Sequence, residues 1–216
     1  MSTHSTVDLA VRDFGAGRMV LILDDPDREN EGDLAIAAQF VTAETVNFMV
    51  THARGLVCMP MDGARLDTLG LPMMVARPDQ RATPFTVSVD ARSGIGSGVS
   101  AADRATTART LLHPCTRPED LVSPGHLFPL RAAPHGVLAR RGHTEAAVDL
   151  ARLAALQPAA VICEVLDEAG DPARPPALHR FARQHGIAVV TIGALVAHRC
   201  ALAGAAPAAA VAGLVR

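Results

Sequence analysis

Short β-branched runs alternate with longer helical patterns along nearly the whole chain, and this alternation restricts the fold to α/β or α+β architectures. No period of 20 to 50 residues recurs, which excludes solenoids, propellers and arrays. Residues 19–23 read as a strand entering an acidic loop, 24–32, and residues 33–39 as the strand leaving it. Thr42 is a candidate N-cap for a helix to about residue 53, with Val46, Met49 and Val50 on one face. Residues 56–61 read as a third strand. Gly and Pro break the pattern from 62 to 84, after which Phe85, Val87 and Val89 alternate with Thr86, Ser88 and Asp90 as in a half-buried strand. Ser100 with Asp103 resembles a capping box for the helix carrying Thr106, Thr107 and Arg109. Thr144 would cap a helix over 145–156. A buried strand over 160–166, a helix over 177–185 and a last strand over 187–192 complete a set of about seven strands and five helices.

The 216 residues suit one compact domain, and a net charge of −2 with 49% hydrophobic residues fits neither a disordered tail nor a nucleic-acid arm. All 20 cationic side chains are arginine. Without lysine there can be no lysine Schiff base, no pyridoxal phosphate linkage and no P-loop of the GxxxxGK type. Any phosphate must then be held by arginine or backbone N–H groups. Trp and Tyr are absent and Phe numbers six, so stacking platforms for nucleic acid are not expected. Cys58, Cys115, Cys163 and Cys200 form no CxxC pair, which speaks against a zinc knuckle and for a reduced compartment. No export signal opens the chain and no apolar run is long enough to span a bilayer, so a cytoplasmic protein with no membrane partner is expected. Residues 1–199 are expected to form the domain, and 200–216 an Ala-rich trailing tail.

Chemistry concentrates in five places. DDPDRENEGD, from Asp24 to Asp33, puts six carboxylates around Arg28 directly after a strand. Like charges this close raise one another's pKa, an arrangement that a bound cation or a proton transfer would use. A solvated acidic turn is the alternative. In ARRGHTEA, Arg140, Arg141, Gly142, His143 and Thr144 precede a helix N-terminus, a setting suited to a phosphate. Alternatively, Thr144 only caps and His143 is a turn residue. His126 sits in PGHLFPLRA between a Pro-Gly turn and an apolar run, and Glu164 lies inside the strand VICEV. A carboxylate in such a strand is either paired or held with a raised pKa as an acid or base. Cys58 in GLVCM reads equally as a site thiol or a small buried hydrophobe.

DDPDRENEGD, GLVCMPM, TPFTVSVDA, GVSAADRATT, SPGHLFPLRA, RRGHTEAAVDLA and AVICEVL, in this order, resemble the 3,4-dihydroxy-2-butanone 4-phosphate synthase family from about residue 7 to residue 199. The resemblance implies a three-layer α-β-α fold with a mixed sheet, a homodimer, and Mg²⁺ or Mn²⁺ as cofactor. It implies conversion of the sugar phosphate D-ribulose 5-phosphate into a four-carbon ketone phosphate and formate, in riboflavin biosynthesis. By position, Glu29 and His143 match the family's metal ligands. Arg28, Glu29, Asp33, Glu164 and the run Arg140, Arg141, Gly142, His143 and Thr144 match its substrate contacts. His126 and Glu164 match its essential pair, and Asp33 and Cys58 join them as catalytic candidates. Pro84, the segment GDPARPP and the loop over 93–100 depart from the family pattern without touching these positions. The resemblance stops about 17 residues before the end, so the form without a GTP cyclohydrolase II domain is expected.

Two other readings stand beside this one. A non-catalytic nucleotide- or RNA-binding module could use the same fold, since fold does not fix function. Another Mg²⁺-dependent sugar-phosphate isomerase or aldolase could use the same groups.

Overall fold

The computed structural model describes residues 3–75 and 83–204. Seven strands form one mixed sheet: β1 (Val20–Leu23), β2 (Gly32–Ala37), β3 (Cys58–Met61), β4 (Val89–Ala91), β5 (Leu121–Arg131), β6 (Ala160–Glu164) and β7 (Ala188–Thr191). Their order is β4-β5-β3-β6-β2-β1-β7. The β1–β7 and β3–β5 pairs are parallel and the others antiparallel. Seven helices cover it among the described residues: α1 (Thr3–Gly15), α2 (Ala43–Phe48), α3 (Gly63–Thr68), α4 (Ala101–Leu112), α5 (His143–Leu153), α6 (Pro175–His185) and α7 (Ile192–Leu202).

The period-2 alternation of each strand sends its side chains into two separate cores. Leu21, Leu34, Ile36, Met59, Val161 and Cys163 pack against Val46, Ala105, Leu111 and Leu178 of α2, α4 and α6. Val20, Ile22, Ala35, Cys58 and Ile162 pack against Phe14, Ala147, Leu150 and Leu195 of α1, α5 and α7 on the other face. The expected α-β-α layering is therefore present, and it bears on function because α5 starts at one end of the second core.

Several expectations need adjusting. Thr42 does cap α2, with a reciprocal bond to Thr45. Ser100 Oγ accepts the Asp103 N–H as expected, but the Asp103 carboxylate accepts from Gly96 and Gly98 instead of returning the bond. Thr144 is not a cap: Gly142 is, and α5 starts at His143, ahead of the expected helix. The strand expected at 85–90 is reduced to Val89–Ala91, with Phe85 and Thr86 in isolated bridges. β5 is an addition to the expected strands, because Pro124, Gly125 and Pro129 argue against a strand there. Cys200 is buried in α7, so the chain after residue 199 begins as helix, and residues 205–216 of the expected tail lie outside the described residues. No helix of the described residues is long and apolar enough to cross a membrane.

Candidate active site

β1 and β2 form an antiparallel pair that ends at Leu23 opposite Gly32, so the acidic segment is the connection between them. Its crowding is resolved by Asp24, whose side chain is fully buried at the base of the loop. The Asp24 carboxylate accepts the N–H groups of Glu29 (3.1 Å) and Glu31 (2.9 Å) and pairs with Arg28 at 2.8 Å. Arg28 also donates to both Glu29 oxygens, at 2.9 and 3.1 Å. From outside, Arg174 at the start of α6 donates to the Glu29 carbonyl at 2.6 Å. One buried carboxylate and two guanidiniums thus fix a loop whose other acids remain available. Asp24 is a site residue that the sequence marks only as a member of the cluster.

Behind this loop, β2 sets Asp33 directly opposite Glu164, the last residue of β6. Like charges facing each other across a strand pair are unfavourable. Burial pushes the Asp33 carboxyl well above its usual range, and the charges of Glu164, Glu31, Glu29 and Asp24 push it further. Glu164 is half-buried, and its Oε2 accepts the Leu56 N–H at 2.7 Å. Gly55 allows this: a Cβ there would collide with the Glu164 carbonyl and lie 2.6 Å from Oε2. Gly55 carries no sequence signal of its own.

The third element is the start of α5. His143 is buried, and desolvation holds its imidazole below the usual pKa, partly opposed by Asp24. Its Nδ1 stands 3.8 Å from Asp33 Oδ1, too far for a hydrogen bond, and both groups are shifted toward their uncharged forms. His143 Nε2 is buried without a hydrogen-bond partner. Ligand atoms of Asp24, Glu29 and His143 lie within 4.8 Å of one another. An imidazole with an unsatisfied nitrogen beside carboxylates is the donor set of a divalent cation. Asp24 is fully buried and accepts three hydrogen bonds, whereas Glu29 is half exposed and is held only by Arg28, which makes Glu29 and His143 the better ligands.

Arg140 reaches the same place. It donates to Glu145 at 2.8 Å, and the other oxygen of this fully buried carboxylate accepts the Ala133 N–H at 3.0 Å. Gly142 leaves room for this pair, since a Cβ would press on the end of the Arg140 side chain and lie 2.7 Å from Glu145 Oε2. Glu145 is a second group with no signal in the sequence pattern.

These groups share one cavity of about 250 Å³, lined by Arg28, Glu29, Asp33, Cys58, Arg140, His143, Thr144 and Glu164, with Glu31, Thr83, Phe85, Leu130 and Ile162 completing its wall. Cys58 enters it as a thiol pushed far above its usual range by burial and by Glu164 and Asp33, so it is a neutral wall and not a thiolate nucleophile. Two sequence candidates are elsewhere. Arg141 is half-exposed and faces Asp25 at 3.4 Å. His126 does not line the cavity, and its ring pairs with Asp90 at 2.7 Å.

The chain matches the sequence profile of 3,4-dihydroxy-2-butanone 4-phosphate synthase over residues 8–198. It is 54% identical over 200 residues to the 3,4-dihydroxy-2-butanone 4-phosphate synthase of Neisseria meningitidis serogroup B, covering 92% of this chain and 55% of that one. It thus spans about half the length of that relative. To the synthase of Agrobacterium fabrum it is 52% identical over 197 residues, covering 91% and 92% of the two chains. A crystal structure of a 3,4-dihydroxy-2-butanone 4-phosphate synthase in complex with two magnesium ions superposes with a TM-score of 0.89 at 44% identity, covering 93% of this chain and 99% of that one. The profile match, the relatives and the solved structure agree, and the chain belongs to the 3,4-dihydroxy-2-butanone 4-phosphate synthase family.

Proposed function

We propose that this protein converts D-ribulose 5-phosphate into 3,4-dihydroxy-2-butanone 4-phosphate and formate, as a cytoplasmic enzyme of riboflavin biosynthesis. The observation that carries this reading is the meeting of the Asp33–Glu164 pair with Glu29, His143, Arg28 and Arg140 in one cavity. Glu29 and His143 would hold Mg²⁺, with Asp24 behind them. When bound, the cation supplies Lewis-acid charge neutralisation to sugar oxygens. Two arginines that cannot lose their charge, Arg28 and Arg140, oppose a phosphate dianion. The free N–H groups at the start of α5 add donors that favour an anion. Asp33, its carboxyl pushed well above the usual range by burial and by Glu164, is the group placed to carry a proton that it can give and take back. Glu164, fixed by the Leu56 N–H, is the acceptor beside it. Proton removal and return at adjacent sugar carbons need such a pair of carboxyls in different states.

Incubation with ribulose 5-phosphate and Mg²⁺ tests the reading by assay of formate. Binding of a nucleotide or RNA without formate release would favour a binding module, and a different product would favour an isomerase or aldolase. Arg140→Ala should weaken ribulose 5-phosphate binding by about 10- to 100-fold in calorimetry, the usual value of a charge-assisted contact. Equal affinity would place the phosphate elsewhere. The homodimer belongs to the same proposal. Light scattering at micromolar concentration should give about twice the 22.5 kDa of one chain, and a monomer mass would refute it.

A further inference from the structure

His126 belongs to a small assembly of its own. β4 and β5 run antiparallel, but the register slips between Val89, opposite Leu127, and Asp90, opposite Val122. Residues 123–126 are therefore extruded from β5. Bulges re-aim side chains, and this one is pinned at three points. Ser123 Oγ donates to the Ser88 carbonyl at 2.8 Å, and the Gly125 N–H donates to Ser88 Oγ at 3.2 Å. A Cβ at Gly125 would collide with the Val89 backbone, so the bulge can lie against β4 only with glycine there. At its end the Asp90 carboxylate accepts the His126 backbone N–H at 2.9 Å and pairs with the ring Nδ1 at 2.7 Å.

The loop over 93–100 closes on this pair. The Asp103 carboxylate, at the start of α4, accepts the N–H groups of Gly96 and Gly98, each at 3.0 Å. Gly98 has φ +92, and a Cβ there would collide with Asp90 Oδ2 and come within 2.6 Å of His126 Nδ1. The Asp90 side chain is 12% exposed and that of His126 46% exposed. Asp90 and Asp103 are the carboxylates that face the ring, from β4 and from α4. This is more construction than a surface turn histidine needs.

We propose that Asp90 is the positioning residue of His126, fixing its ring as the Nδ1–H tautomer so that Nε2 is the nitrogen left to accept a proton. An ionised carboxylate can only accept, so Nδ1 must carry hydrogen whenever the pair is formed. Nε2 is then left with a lone pair when the ring is neutral. A partner that holds tautomer and direction in this way acts through the histidine and does not touch substrate. The proposal deepens the synthase reading and rests on it, because it assigns a task to the family-matched histidine outside the cavity.

Asp90→Asn keeps the shape, while its amide can offer hydrogen to Nδ1 and reverse the tautomer. Nitrogen-15 NMR of histidine-labelled protein should show the Nδ1–H form at His126 in the wild type and its loss in the variant. Formate turnover should fall by about 10²-fold or more, with KM for ribulose 5-phosphate changed less than about 3-fold. Gly98→Ala, which alters neither partner but pushes into both, should give the same split. Were Asp90→Asn to misfold, Gly98→Ala with the wild-type spectrum would still decide the matter. A wild-type ring in the Nε2–H form, or unchanged turnover in folded variants, would overturn the proposal. Absence of formate from the wild-type enzyme would sink the synthase reading instead, and the NMR spectra would still decide whether Asp90 sets the tautomer of His126.

Discussion

Formate release should fall by about 10³-fold or more in excess EDTA and return when Mg²⁺ is restored, since several kcal/mol of charge stabilisation would be withdrawn. The expectation rests on His143. Its Nε2 is buried with no hydrogen-bond partner, an arrangement that costs stability unless something fills it. Burial also lowers the imidazole pKa, and the direction matters, because the neutral ring is the ligand form. Lowering the pKa keeps that form populated to more acidic pH, so cation loading should persist below the pH at which an ordinary histidine would release its metal. Glu29→Gln removes the anionic ligand and should raise the Mg²⁺ concentration needed for half-maximal rate by about 10-fold or more. Undiminished turnover in EDTA would remove the metal from the proposal, and equal rates with Mn²⁺ would show that the site does not discriminate between hard divalent ions.

What can be read from the sequence follows from how local each signal is. β1, β2 and β6 are dense in aliphatic residues, β3 continues the apolar run that starts at Leu56, and α2 is announced by Thr42, so these elements lie where the pattern puts them within a few residues. The N-terminal helix α1 carries the spacing Val7, Ala10, Val11, Phe14, which a search of that stretch for export signals passes over. β5 is hidden for a physical reason. Its two prolines and one glycine serve a parallel partner on one side and an extruded segment on the other, which only the assembled sheet reveals. The site divides in the same way. Glu29, Asp33, Arg28 and His143 stand in conspicuous local motifs, whereas Asp24, Gly55 and Asp90 act through contacts with backbone or rings that no spacing records. Thr144 shows the limit of a cap rule, because Gly142 takes the cap position to give room to the Arg140–Glu145 pair.

Asp33 and Glu164 should separate stability from activity. Glu164→Gln keeps the Leu56 contact within reach and removes the charge, so turnover should drop by about 10²-fold or more while ribulose 5-phosphate still binds. Near-normal turnover would reduce Glu164 to packing and move the search for the base to Asp33. Asp33 itself is held well above 3.8 in the fold by burial first and by Glu164 next. A carboxyl raised on folding contributes stability that is fully present below its unfolded pKa of about 3.8 and is lost as pH rises through the folded value. The wild type, freed of metal, should therefore lose stability as pH rises from about 4 in a way that Asp33→Asn does not. At about pH 7 the variant should melt higher, by about 2–4 °C for each kcal/mol relieved, and yet release almost no formate. The opposing shifts follow from one fact, the placement of two carboxyls opposite each other on β2 and β6. A variant that melted lower than the wild type at neutral pH, with the same slope against pH, would show that Asp33 is instead held by compensating contacts and is not the strained acid of the site.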